Sequence, residues 1–454
     1  MKRTTRRRRT ATLAATFAIA APLSFLTPVV PAGAAGPTRR VNVSSSEHQA
    51  ADFGGLVERF GRRTVDVSAT GRFVVFVSES RNLVRNDTNG QADIFLRDRV
   101  LGTTQRVSTR ATGGQANDQS TQPAISDNGR WIVFESEATN LVPGVTTSDQ
   151  VYRKDRRTGA IVLASARNHT AITAANYGAD EPTASDSGIV AFASGATDLL
   201  PGMSPIRDRV YVRDPSTNRT RLACRPTVGY RSADGSQACD RPVISADGRS
   251  VAFTSTARLV PADTNGKGDV YVLRRSTNVV ERVSVGGHSG RVQNNGHCDG
   301  EIPALDRDAS VVAFVCSHLG HPIVAGAPTN GQVYVRNRST GRTYLISRRL
   351  SGTNYGATFP SMNAGGRFVA FTTATDLTSR PTHGIDQAYV WDLRTGSRKL
   401  VSRSTSGRLA DGTCLATVMT GDGSDVVFES AATNLVRGDT NGLIDIFVRA
   451  DWRV

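Results

Sequence analysis

Beyond residue 34 the chain has no apolar run approaching the roughly 20 residues that a membrane-spanning helix needs, which argues against a helical membrane protein as the mature form. Aromatic residues make up only 6% of the chain, and no stretch carries the sustained 3.6-residue periodicity of a helical core. Lysine is almost missing: Lys2, Lys154, Lys267 and Lys399 are the only four, and arginine supplies the rest of the 55 basic residues. The formal net charge is +15, yet the arginines are spread along the whole length instead of forming one basic face, which argues against a nucleic-acid partner. Also absent is a Gly-x-Ser-x-Gly nucleophile elbow; Gly286-Gly287-His288-Ser289-Gly290 has the wrong spacing. The seven histidines share no common repeat position.

What is present begins with a basic segment, Lys2 to Arg9, an apolar stretch from Ala11 to Phe25, and Ala32-Gly33-Ala34. That order is expected of a signal peptide over residues 1–34, with a secreted, soluble, monomeric chain from residue 35 onward. Abundant turn formers, 43 glycines and 18 prolines, then punctuate short apolar runs, as in an all-β chain.

Those runs repeat. A phenylalanine recurs at Phe76, Phe134, Phe192, Phe253, Phe314, Phe371 and Phe428, at intervals of 58, 58, 61, 61, 57 and 57 residues. Around it the strands are continuously apolar, as in Phe73-Val74-Val75-Phe76-Val77, and a continuous run belongs to a strand buried on both faces. Each repeat divides into four strands. In the second they are expected near residues 123–126, 131–136, 150–154 and 161–165, with an Asp-Asn-Gly turn at 127–129 whose Asn and Gly supply positive φ. Small antiparallel sheets covered on both faces by copies of themselves are propeller blades, so residues 35–454 are expected to form a seven-bladed β-propeller. The last repeat ends without its outermost strand, and Arg39-Arg40-Val41-Asn42-Val43-Ser44 matches that missing strand, as in Gln105-Arg106-Val107-Ser108. The expected closure is the N-terminal strand pairing into the seventh blade.

The pattern Ser-x-Asp-Gly-Arg-x-Val-Ala-Phe, complete at Ser245 to Phe253, resembles the WD40-like (PD40) repeat of TolB-type β-propellers. The resemblance runs over residues 39–454. It implies the propeller fold and a family that spans a periplasmic envelope component, peptidase-linked propellers and many exported proteins; some seven-bladed relatives are polysaccharide lyases with histidine-bound metal. The envelope component has six blades and an additional N-terminal domain, unlike the seven repeats counted here.

Two further features carry chemistry. Three repeats contain Asp-Thr-Asn-Gly followed by a second aspartate: Asp87, Asn89 and Asp93; Asp263, Asn265 and Asp269; Asp439, Asn441 and Asp445. Oxygen ligands at alternate positions with a glycine at the bend are what a weak calcium loop needs. An Asn-Gly turn capped by Asp has the same appearance, and both readings stay open. The five cysteines of an exported chain are expected to form disulfides, Cys224 with Cys239 between adjacent blades and Cys298 with Cys316 within one, leaving Cys414 odd. A zinc site from His297, Cys298, Cys316, His318 and His321 is the competing arrangement. The functional expectation is a non-catalytic binding or scaffold module for a protein or a cell-wall polysaccharide, with calcium the one cofactor in view; a secreted carbohydrate-active lyase or hydrolase is the alternative. Residues 112–117 and 229–238 are expected on the same loop-rich face as the Asp-Thr-Asn-Gly loops.

Overall fold

The repeated phenylalanines lie in the second strand of seven antiparallel sheets. The computed structural model describes residues 36–51, 63–203, 208–225, 238–287, 292–349 and 353–453. The signal peptide expected at residues 1–34 lies outside the described residues, as does nearly all of the 229–238 loop.

Blade one consists, from the innermost strand outward, of Val65–Val67, Phe73–Ser78, Asp93–Asp98 and Thr103–Arg106. Blade two is Ser120–Ile125, Trp131–Ser136, Gln150–Asp155 and Ile161–Leu163, and blade three Ala179–Ala184, Val190–Ser194, Arg209–Asp214 and Arg219–Leu222. Blade four is Cys239–Ile244, Ser250–Ser255, Asp269–Arg274 and Val279–Arg282; blade five is Ala304–Leu305, Val311–Cys316, Gln332–Asn337 and Arg342–Leu345. Blade six is Ala357–Met362, Phe368–Thr373, Gln387–Asp392 and Arg398–Leu400. In blade seven Cys414–Met419, Val426–Ser430 and Asp445–Arg449 come from the C-terminal end, and Thr38–Arg40 supplies the fourth strand. No helix among the described residues is long and apolar enough to cross a membrane.

Packing on both sides explains the continuous apolar runs. In Phe73–Ser78 every residue is buried. Val75 and Val77 pack with Ile132 and Phe134 of blade two, while Val74 and Phe76 pack with Val427, Ile446 and Val448 of blade seven. Each repeat phenylalanine faces an aromatic on the third strand, as with Phe76 opposite Phe95 and Phe253 opposite Tyr271, whose ring centroids are 5.8 and 6.1 Å apart. Such pairs stabilise beyond the area they bury.

The N-terminal strand starts one residue earlier and ends sooner than the sequence pattern indicates. Thr38 pairs with Arg449 and Arg40 with Phe447, after which Val41 donates its N–H to Ile446 O at 2.7 Å. The hairpin at 127–129 also differs from expectation, because Gly129 alone has positive φ, at 67°. Asn128 instead accepts from Ser126 Oγ at 2.8 Å and from the Arg130 N–H at 3.0 Å, which holds the turn without a left-handed asparagine.

At the face carrying these hairpins, the lower face, a hydrogen bond links every blade to the next. Ala69 donates to Asp127 O, Asn128 to Asp186 Oδ1, Asp186 to Ala246 O, Asp247 to Arg307 O, Arg307 to Ala364 O, Ala364 to Gly421 O, and Asp422 back to Ala69 O. A Cβ on Gly421 would lie 2.6 Å from Ala69 Cβ, so glycine is what lets the last junction close. The loops after the second strands and the connections between blades lie at the opposite, upper face.

Candidate functional site

The innermost strands surround a central channel of about 190 Å³, lined by all seven blades. Much of its wall is small or apolar: Val65, Ala124, Ala184, Val243, Ala304 and Val418 are among the lining residues. Its upper end is different, and a strand irregularity is the cause. Pro123, Pro182, Pro242, Pro303 and Pro360 sit ten or eleven residues before the repeat phenylalanine of their blades. Proline cannot donate to a ladder and is tolerated here because the innermost strand is an edge. The residue before it is left-handed in four blades: Gln122, Glu181, Arg241 and Phe359, with φ between 52° and 53°. Pairing breaks at the same level, between Thr121 and Ala124, Asp180 and Thr183, Asp240 and Val243, and Thr358 and Ser361. A non-glycine residue held there costs of order 1–3 kcal/mol, and strain of this kind concentrates at functional sites.

The bulges build a polar belt. Glu181 donates its N–H to Gln122 Oε1 at 3.2 Å, Arg241 donates its N–H to Glu181 Oε2, and the Phe359 N–H bonds the Glu301 carboxylate. Gln122 Nε2 donates to Glu135 Oε2, and the Arg241 guanidinium to Asp240 Oδ2 at 3.2 Å and Asp299 O at 2.7 Å. One level down, Asp66 Oδ2 accepts from the Ile125 N–H at 2.9 Å and lies 3.2 Å from Arg63. Side chains thus carry the bonds between blades where the innermost strands have no ladder partner.

Among the described residues, six carboxyls, on Asp66, Glu135, Glu181, Asp240, Glu301 and Glu429, line this region or bond a residue that does, together with two guanidiniums, Arg63 and Arg241. Burial pushes the Glu301 carboxyl up to about 7 despite the nearby Arg241, and pushes Glu429 up to about 7 although Thr64 Oγ1 donates to it at 2.5 Å. Burial likewise raises Asp66 and Asp240. At the lower end burial, together with Asp186 and Asp66, raises Asp127 to about 6.

The three Asp-Thr-Asn-Gly loops lie against the outer strands. In blade one Asp87 and Asp93 converge on Arg106 Nη1 at 3.1 and 3.0 Å, and Asn89 donates to Asp93 at 2.9 Å. In blade four Arg282 Nη1 lies 3.1 Å from Asp263 and 3.5 Å from Asp269, with Asn265 donating to Asp269 at 3.1 Å. In blade seven Arg40, from the N-terminal strand, contacts Asp439 at 2.9 Å and Asp445 at 3.1 Å, and Asn441 donates to Asp445 at 3.5 Å. The structure therefore brings each set of expected oxygen ligands together, with a guanidinium among them.

Cys224 is bonded to Cys239 and Cys298 to Cys316, with Cα atoms 6.4 and 4.1 Å apart, the pairing of an oxidising compartment. Cys239 opens the first strand of blade four instead of preceding it. Their bond takes Cys298 and Cys316 out of the zinc arrangement, and His318 is engaged at both ring nitrogens, by Ala327 O at 2.9 Å and the Gly320 N–H at 3.1 Å. No cluster of three metal-ligating side chains occurs among the described residues. Non-reducing peptide mapping is expected to recover the two bridges, and their reduction to lower stability by about 3 kcal/mol each through chain entropy. Cys414 is buried, which pushes its thiol up to about 11, so it should resist alkylation until the protein is unfolded.

No protein-family model matches the chain, and no curated protein matches it. Among solved structures, an oligogalacturonate lyase in complex with manganese is 12% identical, with a TM-score of 0.51 over 92% of this chain and 98% of the other. An oligogalacturonate lyase from Vibrio parahaemolyticus is 13% identical, with a TM-score of 0.53, covering 92% of this chain and 98% of its own. TolB from Acinetobacter baumannii is 12% identical over 90% of this chain and 88% of its own, with a TM-score of 0.36. The class is that of the seven-bladed β-propellers, and at these identities the likeness is one of fold.

Proposed function

We propose that the chain is an exported, non-catalytic binding module whose ligand, a protein segment or a cell-envelope polymer, seats a cationic group at the upper mouth of the channel. The observation that carries this reading is the polar belt at the rim, where the left-handed residues Gln122, Glu181 and Arg241 line a small pocket that shares Arg63, Thr183 and Ile302 with the channel, next to Glu301 in the channel wall. Once Glu301 and Glu429 ionise, above about pH 7, six carboxyls stand against two arginines, which favours a protonated amine or guanidinium as the group that enters. The test is capture of cell-wall fractions and of a glycan array by residues 35–454 and by the Glu301→Gln variant of the same chain. Capture that falls roughly tenfold in the variant, as for loss of a charge-assisted bond, and that soluble polylysine blocks, supports the reading. Equal capture by both proteins, or blockage by polyglutamate instead, contradicts it.

A second reading, a carbohydrate-active lyase or hydrolase, is favoured by one observation, the Glu301 carboxyl poised at about 7 near Arg241. Its signature would be new reducing ends or unsaturated sugars released from the same fractions and lost in Glu301→Gln.

A further inference from the structure

Three positions distinguish the blades with Asp-Thr-Asn-Gly loops from the others, and they change as a block. The first lies four residues after a buried leucine or isoleucine of the loop, the second opens the third strand or immediately precedes it, and the third closes the outer strand. In blades one, four and seven they are Asp87, Asp93 and Arg106; Asp263, Asp269 and Arg282; and Asp439, Asp445 and Arg40. Blade two has Val145, Gln150 and Leu163; blade five has Ala327, Gln332 and Leu345; blade six has Pro381, Gln387 and Leu400. Blade three, with Met203, Asp208 and Leu222, keeps one carboxylate. Where both carboxylates are present a guanidinium accompanies them, and where both are absent leucine takes its place.

We infer that Arg106, Arg282 and Arg40 are the resident cations of these loops, and that each charged triad is a metal-independent clasp fastening an upper-face loop to the outer strand. In blade four the side chains of Asp263, Asp269 and Arg282 are 4%, 0% and 3% exposed. Charges so buried must be compensated within the protein, and here compensation comes from several sides. Besides the two carboxylates, Arg282 Nη1 donates to Gln293 Oε1 at 2.9 Å and Nη2 to Ala262 O at 3.0 Å; Tyr271 Oη donates to Asp263 and Ser284 Oγ to Asp269. Blade one repeats the design, with Gln115 Oε1 accepting from Arg106 at 2.6 Å and Ser108 donating to Asp93. Blade seven repeats it across the ring seam: Gln49 accepts from Arg40, and Asn42 takes the serine's place, donating to Asp445 at 2.6 Å. A divalent cation among these oxygens would have to expel an arginine already ion-paired with them. In blade two, whose block is neutral, packing closes the same space: Val145, Gln150 and Leu163 are each 1% exposed.

The repeats themselves supply the test. Arg282→Leu strands two buried carboxylates and is expected to lower the melting temperature of residues 35–454. The triple variant Asp263→Val, Asp269→Gln, Arg282→Leu installs the block of blade two and is expected to regain most of that loss. Millimolar calcium and EDTA are expected to leave the wild-type melting temperature unchanged. A triple variant no more stable than Arg282→Leu, a single variant as stable as wild type, or a wild-type melting temperature that rises with calcium overturns the inference.

Discussion

A chain beginning at residue 45 is expected to melt at a clearly lower temperature than one beginning at residue 35, and to self-associate. The deleted segment holds the outer strand of blade seven, and its loss exposes the backbone edge of Asp445–Arg449 that now pairs with Thr38–Arg40. An unpaired edge is a template for another chain. The side-chain consequences are larger. Asp439 and Asp445, 2% and 1% exposed, lose Arg40, and removing one partner of a buried ion pair costs about 3–5 kcal/mol. Arg449, itself 1% exposed, loses Thr38 Oγ1, to which it donates at 3.1 Å. Thermal unfolding combined with light scattering checks this; an unchanged melting temperature together with monomeric behaviour would mean that ring closure does not depend on this strand.

Raising the pH from 5 to 8 is expected to destabilise the protein, and Glu429→Gln to flatten that dependence. Burial pushes Glu301 and Glu429 from an ordinary value of 4.5 up to about 7. A carboxyl raised on folding holds its proton more tightly in the native state, so its contribution is fully present below the unfolded value and is lost as pH rises through about 7. With a shift of one pKa unit equivalent to about 1.4 kcal/mol, each group contributes on the order of 3 kcal/mol across that window. Carboxylates depressed by ion pairing act oppositely, but outside it. Arg367 holds Asp392, and Arg130 holds Asp155, below the usual range, so their contribution is lost only as pH falls below the ordinary aspartate value. Chemical denaturation at pH 5, 6.5 and 8 on wild type, Glu429→Gln and Glu301→Gln measures the effect. Stability that is level or rises over this range in wild type would show that these carboxyls titrate normally.

Asp87, Asn89 and Asp93 lie within seven residues of one another, so local turn geometry is enough to bring them together and their convergence is legible in the sequence. Arg106 is distant along the chain and joins them only because the outer strand pairs in register, Phe95 opposite Arg106. In blade seven the corresponding arginine is roughly 400 residues away, at Arg40. The channel mouth is hidden for a related reason. Its signal, a proline ten or eleven residues before the repeat phenylalanine in five blades, is visible in the sequence. The bulge is not, because the residue before a proline is ordinarily driven to extended backbone, and only the surrounding blades hold it left-handed.

The sequence by itself determined the number of blades and the origin of the closing strand, since each follows from spacing and from whether a run is apolar on one face or two; it pointed to the two disulfide pairs, and the structure decided them against the zinc arrangement by bonding Cys298 to Cys316. Blade number and closing strand are properties of a single repeat and of its neighbours in order. Only the tertiary structure decided which side chains meet from different blades: the belt of Gln122, Glu181, Arg241 and Glu301 at the channel mouth, and the guanidinium within each aspartate loop. The physical reason is that these groups are brought together by closure of the ring and by strand register, and a buried charge takes whichever partner that geometry delivers.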